Sequence, residues 1–179
     1  MPGGEATGRP IALTMGEPAG IGPDITLAAW LQRETLGLPP FYYLADPVAL
    51  RERAELLRLD CPIETVTPTG AADAFGRALP VVPLAGRVSG GPRQLDSRNA
   101  PSVVEAIARA VGDVRSGAAA AVVTNPINKK ALYDAGFQHP GHTEFLGTLS
   151  AAWTGTPGKP VMMLVGPELK AVPVTIHIP

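Results

Sequence analysis

Three stretches of the sequence, and one residue close to its end, carry side chains whose types and spacing could do chemistry. Gly16-Glu-Pro-Ala-Gly-Ile-Gly-Pro-Asp24 lies between a strand-like run and a helix-like one. Glycines there let a backbone turn tightly or come close to a ligand, and the N–H groups that open the next helix form an anion site. The string has neither the Walker spacing nor a following Lys-Ser/Thr, and it is not G-x-G-x-x-G. A purely structural turn is an equal reading. Thr124-Asn-Pro-Ile-Asn-Lys-Lys130 ends another apolar run, and in open α/β sheets ligands gather beyond the carboxyl ends of the strands. Lys129 in a first helical turn opposes the helix dipole. An anionic ligand would explain that placement, and so would simple solvation.

The third stretch is His139-Pro-Gly-His-Thr-Glu-Phe145. Pro140-Gly141 makes a turn, and Thr143 is placed to N-cap a helix running through Leu149, with Glu144 in its favourable first turn. His142 would then stand just before that helix. A phosphate or carboxylate could accept from imidazole, hydroxyl and backbone N–H together, although a histidine that merely fixes the turn fits as well. His139 and His142 could share a metal, but a metal needs three or four protein donors, or fewer with substrate and water. The chain has three histidines in all. The last of them, His177, sits in an apolar run, where on its own it reads as a core or edge residue.

The elements that must position these groups alternate along the chain. Strands are predicted at Ile11–Met15, Phe41–Ala45, Ile63–Val66, Leu79–Val82 and Ala119–Thr124, and helices near Pro23–Glu34, Pro47–Leu57 and Ser97–Arg115. In the last helix Val103, Val104, Ile107, Ala108, Val111 and Val114 share one face, and Gly117 is placed to stop it in a left-handed conformation. Asp46-Pro47, Asn125-Pro126 and Gly22-Pro23 each put a capping or small residue before a Pro suited to a first helical turn. Such alternation predicts an α/β fold with a largely parallel sheet and helices on its faces. From Thr67 to Ala100 the order gives way to a Gly- and Pro-rich surface connection. Val161–Val165 and Leu169–Ile176 flank Gly166-Pro167-Glu168 as a β-hairpin.

Composition narrows the function classes. A chain of 179 residues with net charge −1 gives no electrostatic reason to expect nucleic acid or an anionic membrane as partner. Its single cysteine, Cys61, excludes an internal disulfide and a Cys-based zinc cluster. Residues 1–9 lack the basic and apolar regions of a secretory signal and read as a flexible arm. No apolar run approaches the ~20 residues of a membrane span, so a soluble cytoplasmic protein is expected.

Taken together, Met15–Asp24, Thr124–Lys129, Gly141-His-Thr-Glu-Phe145 and Thr175-Ile-His-Ile-Pro179 resemble the 4-hydroxythreonine-4-phosphate dehydrogenase family of vitamin B6 biosynthesis, in that family's order and spacing. The resemblance runs from about Pro10 to the last residue. It implies a three-layer α/β/α architecture of the isocitrate/isopropylmalate dehydrogenase type, with a mostly parallel, partly mixed sheet. It also implies NAD(P)- and metal-dependent oxidation and decarboxylation of 4-phosphohydroxy-L-threonine to 3-amino-2-oxopropyl phosphate. The metal would be zinc, magnesium or cobalt, and the family's members are homodimers. Carried over by motif, His142 and Thr143 bind substrate and His177 ligates the metal, which reverses the reading of His177 taken alone. Glu17, Asn125 and Lys129 are expected to line the same cleft.

Family chains are roughly twice as long. The expected organisation is therefore an arm at 1–9, part of a first α/β domain at 10–125 and the start of a second at 126–179, with the final strand cut off. No catalytic residue, and no assignable cofactor-binding residue, falls within this span. The 179-residue polypeptide alone is expected to be inactive. Two alternatives stay open: a paralogue oxidising a phosphorylated sugar acid or an aromatic dihydrodiol, or a non-catalytic binding or assembly module.

Overall fold

Short apolar runs bounded by Pro and Gly become strands, and the longer segments between them return the chain across the sheet. The computed structural model describes residues 8–156, 158 and 160–173. Its strands β1 (Ile11–Thr14), β2 (Phe41–Ala45), β3 (Ile63–Thr65), β4 (Leu79–Pro83) and β5 (Val122–Val123) form one sheet in the order β3-β4-β2-β1-β5. Every pairing in it is parallel, with Leu13 beside Tyr43 and Tyr43 beside Val81. The mixed character expected of the sheet is thus not found among the described residues. Each connection between these strands is long enough to cross over, so none needs to reverse direction.

The helices are α1 (Gly22–Leu31), α2 (Pro47–Leu56), α3 (Ala71–Phe75), α4 (Ala100–Ser116), α5 (Lys129–Asp134) and α6 (His142–Thr154). Two consecutive tyrosines show how they cover both faces, because successive strand side chains point to opposite sides. The Tyr42 hydroxyl donates to Asp113 Oδ2 on α4 at 2.6 Å. The Tyr43 hydroxyl turns the other way, donates to the Met15 carbonyl at 2.9 Å, and shares a cavity wall with Ala49 and Leu50 of α2. Both rings are fully buried, and burial pushes both phenols up out of their ordinary range. The architecture is α/β with a central parallel sheet between helical layers.

Local chemistry sets the boundaries. Asp46 caps α2 by accepting from Val48 N at 2.9 Å, with Pro47 in the first turn as predicted. α4 buries Val103, Ala106, Ile107 and Ala110 and ends at Gly117 with φ +81°, also as predicted. It begins at Ala100 rather than Ser97, because Ser97–Asn99 forms a 3-10 turn capped by Asp96. The stretch read as an irregular connection contains α3, too short to show a helical period. Phe75 of α3 packs edge-on against Phe41 with ring centroids 4.9 Å apart, and its carbonyl accepts from Trp30 Nε1 at 2.9 Å. Cys61 is buried, and that burial pushes its thiol up to about 11, so it remains an inert thiol at neutral pH.

The chain divides into two compact units, one ending at Gln138 and the other beginning at His139. Ala131 and Leu132 of α5 are buried, and Leu132 belongs to the core of the first unit. The second unit contains α6 and a hairpin of β6 (Leu164–Val165) with β7 (Lys170–Ala171), paired antiparallel. Both strands are shorter than predicted, and the end of the second predicted run lies outside the described residues. Among the described residues no helix is long and apolar enough to cross a membrane.

Candidate functional site

Two strand-to-helix turns at the carboxyl edge of the sheet lie against each other. Gly16 takes φ +67°, and a Cβ there would stand 2.6 Å from the Pro126 carbonyl oxygen and 2.7 Å from Asn125 Cβ. At Gly22 a Cβ would stand 2.9 Å from the Met15 carbonyl and 3.3 Å from Asn125 Cβ. Glu17 N donates to the Pro126 carbonyl at 2.8 Å. Gly16 uses both freedoms of glycine, the left-handed turn and the close approach, and Gly22 the close approach alone; at both the neighbour is protein.

Asn125 is the pin between the turns. It is 3% exposed. Its Nδ2 donates to the Thr14 carbonyl at 3.1 Å and to Thr26 Oγ1 at 3.0 Å, and its backbone N–H donates to Thr14 Oγ1. Thr26 Oγ1 in turn donates to the Gly22 carbonyl. Asn125-Pro126 does not start the following helix as predicted. Asn128 does, accepting from Ala131 N at 3.0 Å, which leaves Lys129 exposed as the first residue of α5.

Glu17 is the buried acid of this edge, 7% exposed, with Oε1 accepting from Ala19 N at 3.1 Å. Burial raises its carboxyl above the ordinary range; the Ala19 N–H opposes this, and the negative charge of Asp96 adds to it. A group whose folded value lies above its unfolded one stabilises the fold fully below the unfolded value. That contribution is lost as pH rises through the folded value. Glu17→Gln keeps the acceptor for Ala19 and removes the charge. It is expected to raise Tm at neutral pH and to change it little below the ordinary glutamate range. Equal shifts at both pH values would show that Glu17 does not titrate with folding.

A third wall was not legible as such in the sequence. The segment after β4 folds onto the first turn, with Arg93 N donating to the Ala19 carbonyl at 2.8 Å and Val88 N to Asp46 Oδ2 at 3.1 Å. Asn99 bonds Ser89 through both its amide atoms. Asp96 accepts from Ser89 and Arg98, and the Arg98 guanidinium holds its carboxyl well below the usual range. Gly90 and Arg93 both adopt positive φ, +84° and +64°. Beneath this segment lies a cavity of about 220 Å³, bordered by Met15, Tyr43, Asp46, Arg53 and Val88. The only hint in the sequence was an Asp and an Asn inside a Gly/Pro-rich run.

In the second unit, α6 begins at His142 itself, with Gly141 rather than Thr143 at the cap position and no side-chain cap. His142 is partly buried and Thr143 exposed, adjacent in the first turn. The His139 ring lies 4.9 Å from that of Phe145. Among the described residues no group of three His, Cys, Asp or Glu is placed to hold a metal ion. His177, the expected metal ligand, lies outside the described residues.

The family model described as pyridoxal phosphate biosynthetic protein PdxA matches residues 38–179. The chain is 52% identical over 178 residues to the 4-hydroxythreonine-4-phosphate dehydrogenase of Bradyrhizobium diazoefficiens, covering 95% of this chain and 51% of that protein. It is 53% identical over 172 residues to the enzyme of the same name from Methylorubrum populi, covering 95% and 49%. The crystal structure of a 4-hydroxythreonine-4-phosphate dehydrogenase from Burkholderia phymatum superposes with a TM-score of 0.81 at 27% identity, over 96% of this chain and 51% of that one. The chain thus spans about half the length of the curated relatives it matches. With a parallel sheet, a glycine turn pinned by Asn125 and this match along nearly its whole length, the chain belongs to the PdxA family of pyridoxal phosphate biosynthetic proteins.

Proposed function

We propose that this chain supplies the N-terminal half of an NAD- or NADP-dependent dehydrogenase. Its substrate would be 4-phosphohydroxy-L-threonine, oxidised and decarboxylated to 3-amino-2-oxopropyl phosphate in vitamin B6 biosynthesis. The observation that carries this reading is the 52% identity over 178 residues with a 4-hydroxythreonine-4-phosphate dehydrogenase. In this reading the enzyme works in the cytoplasm as a homodimer.

His142 and Thr143 bind the substrate. The imidazole and the hydroxyl offer donors at the start of a helix whose first N–H groups have no side-chain cap, a setting that favours a phosphate or carboxylate. The glycine turn and the Asn125 pin hold the carboxyl edge of the first unit rigid, and Glu17 keeps a carboxyl there out of bulk water. His177 supplies one metal donor. When bound, zinc, magnesium or cobalt contributes Lewis-acid polarisation of the alcohol, and the nicotinamide contributes the hydride acceptor. The described residues do not by themselves make a metal site.

The test uses the 179-residue chain labelled with ¹⁵N and titrated with 4-phosphohydroxy-L-threonine. Amide signals at His142 and Thr143 should shift on binding, and His142→Ala should weaken the affinity by tenfold or more. With NAD or NADP and each metal in turn, the chain alone should form no NADH or NADPH. Saturating substrate without any shift at the start of α6 would overturn the assignment, and nucleotide reduction would overturn the inactivity.

A further inference from the structure

The guanidinium of Arg53 is 7% exposed, yet it belongs to α2, whereas the groups it bonds belong to the turn before α1 and to α1 itself. Its Nε donates to Asp24 Oδ1 at 2.6 Å and its Nη2 to the Gly20 carbonyl at 2.5 Å. Gly20 lies inside the Gly16–Gly22 turn, and its own N–H donates to the Glu17 carbonyl at 3.0 Å. The turn is therefore clamped from three sides. Pro126 holds Glu17 N, the segment after β4 holds the Ala19 carbonyl, and Arg53 holds the Gly20 carbonyl. Of these only Arg53 acts through a side chain, so it can be removed without moving another backbone segment.

We infer that Arg53 is a positioning residue, which closes the Gly16–Gly22 turn from the neighbouring helix and thereby fixes the Glu17 carboxyl in its buried place. An Arg is suited to this, because its planar fork can bond a carboxylate and a carbonyl at once while the charge stays paired. The use of that carboxyl in a substrate site rests on the dehydrogenase reading; the clamp itself does not. The titratable neighbour that faces Glu17 is Asp96, already held by Arg98.

The experiment reads the 179-residue chain by NMR, with no substrate present, so its outcome is separate from that of the dehydrogenase reading. Arg53→Met should speed exchange of the Glu17, Ala19 and Gly20 amides by tenfold or more beyond any change at Tyr42 and Leu44 in β2. It should also bring the ¹³C-detected titration of the Glu17 carboxyl down toward the ordinary glutamate range. Arg53→Lys, which can reach one partner at a time, should fall between. If Arg53→Met does not fold, Asp24→Asn decides, because it removes the charge of one partner at a position about a third exposed while leaving an acceptor there; a smaller change in the same direction is expected. A folded variant whose turn amides exchange in step with β2, with the Glu17 titration unmoved, would overturn the inference and leave Arg53 a plain ion pair.

Discussion

Gly16→Ala is expected to lower unfolding stability by roughly 2–5 kcal/mol, because it combines two separate penalties. A non-glycine residue at a left-handed backbone position costs about 1–2 kcal/mol, and forcing a methyl into filled space costs about 1–3 kcal/mol. Gly16 meets both conditions, with φ +67° and an added Cβ only 2.6 Å from a carbonyl oxygen. Gly37 is the control, with φ +59° and nothing within 4 Å of its would-be Cβ. Gly37→Ala should therefore cost the backbone strain alone, about 1–2 kcal/mol. Urea midpoints of the two variants give the comparison directly. Equal losses would mean that the two turns separate without resistance, and that the glycine motif is about conformation only.

The same distinction explains which features could be read from the sequence. Strand positions, α2 with its Asp46 cap and the stop of α4 at Gly117 are local properties, written in apolar runs and in Pro, Asp and Gly at set positions. Glycine richness at 16–22 was visible too, but what the glycines approach was not, because Asn125 and Pro126 are about a hundred residues away. Cap positions failed where two candidates stood close together. Asn125 and Asn128 both precede helix-forming residues, and Thr143 competes with a glycine already turned for the cap. The fold of the third wall depends on Arg93 and Val88 finding partners on other loops, and no periodicity records such a pairing. For the candidate site, turn and cap residues placed His142 and a hydroxyl at a helix start open to an anion, and only motif resemblance gave His142 and Thr143 a substrate-binding role. Arg53 was missed because a buried arginine looks, in sequence, like any other charge on an amphipathic helix.

Asn125→Ala separates a ligand-contacting asparagine from a structural one. If its side chain existed to meet a ligand, its loss would reduce binding and leave the fold nearly as stable as before. The geometry argues otherwise: both Nδ2 hydrogens are engaged, one with the Thr14 carbonyl on β1 and one with Thr26 Oγ1 on α1, at a residue 3% exposed. Removing them leaves a buried carbonyl and a buried hydroxyl short of a donor, and an unsatisfied buried group costs about 1–3 kcal/mol. Thr26 still donates to the Gly22 carbonyl, so the hydroxyl loses less than the carbonyl. The expected total is a loss of roughly 2–4 kcal/mol, read as a fall in the urea midpoint. Asn125→Asp should be worse at neutral pH than in acid. Its carboxylate would face the Thr14 carbonyl oxygen without a proton to offer, whereas the protonated acid restores one donor. A variant as stable as the parent, with affinity for 4-phosphohydroxy-L-threonine reduced, would show the opposite: that this buried amide serves the ligand and not the seam between the two turns.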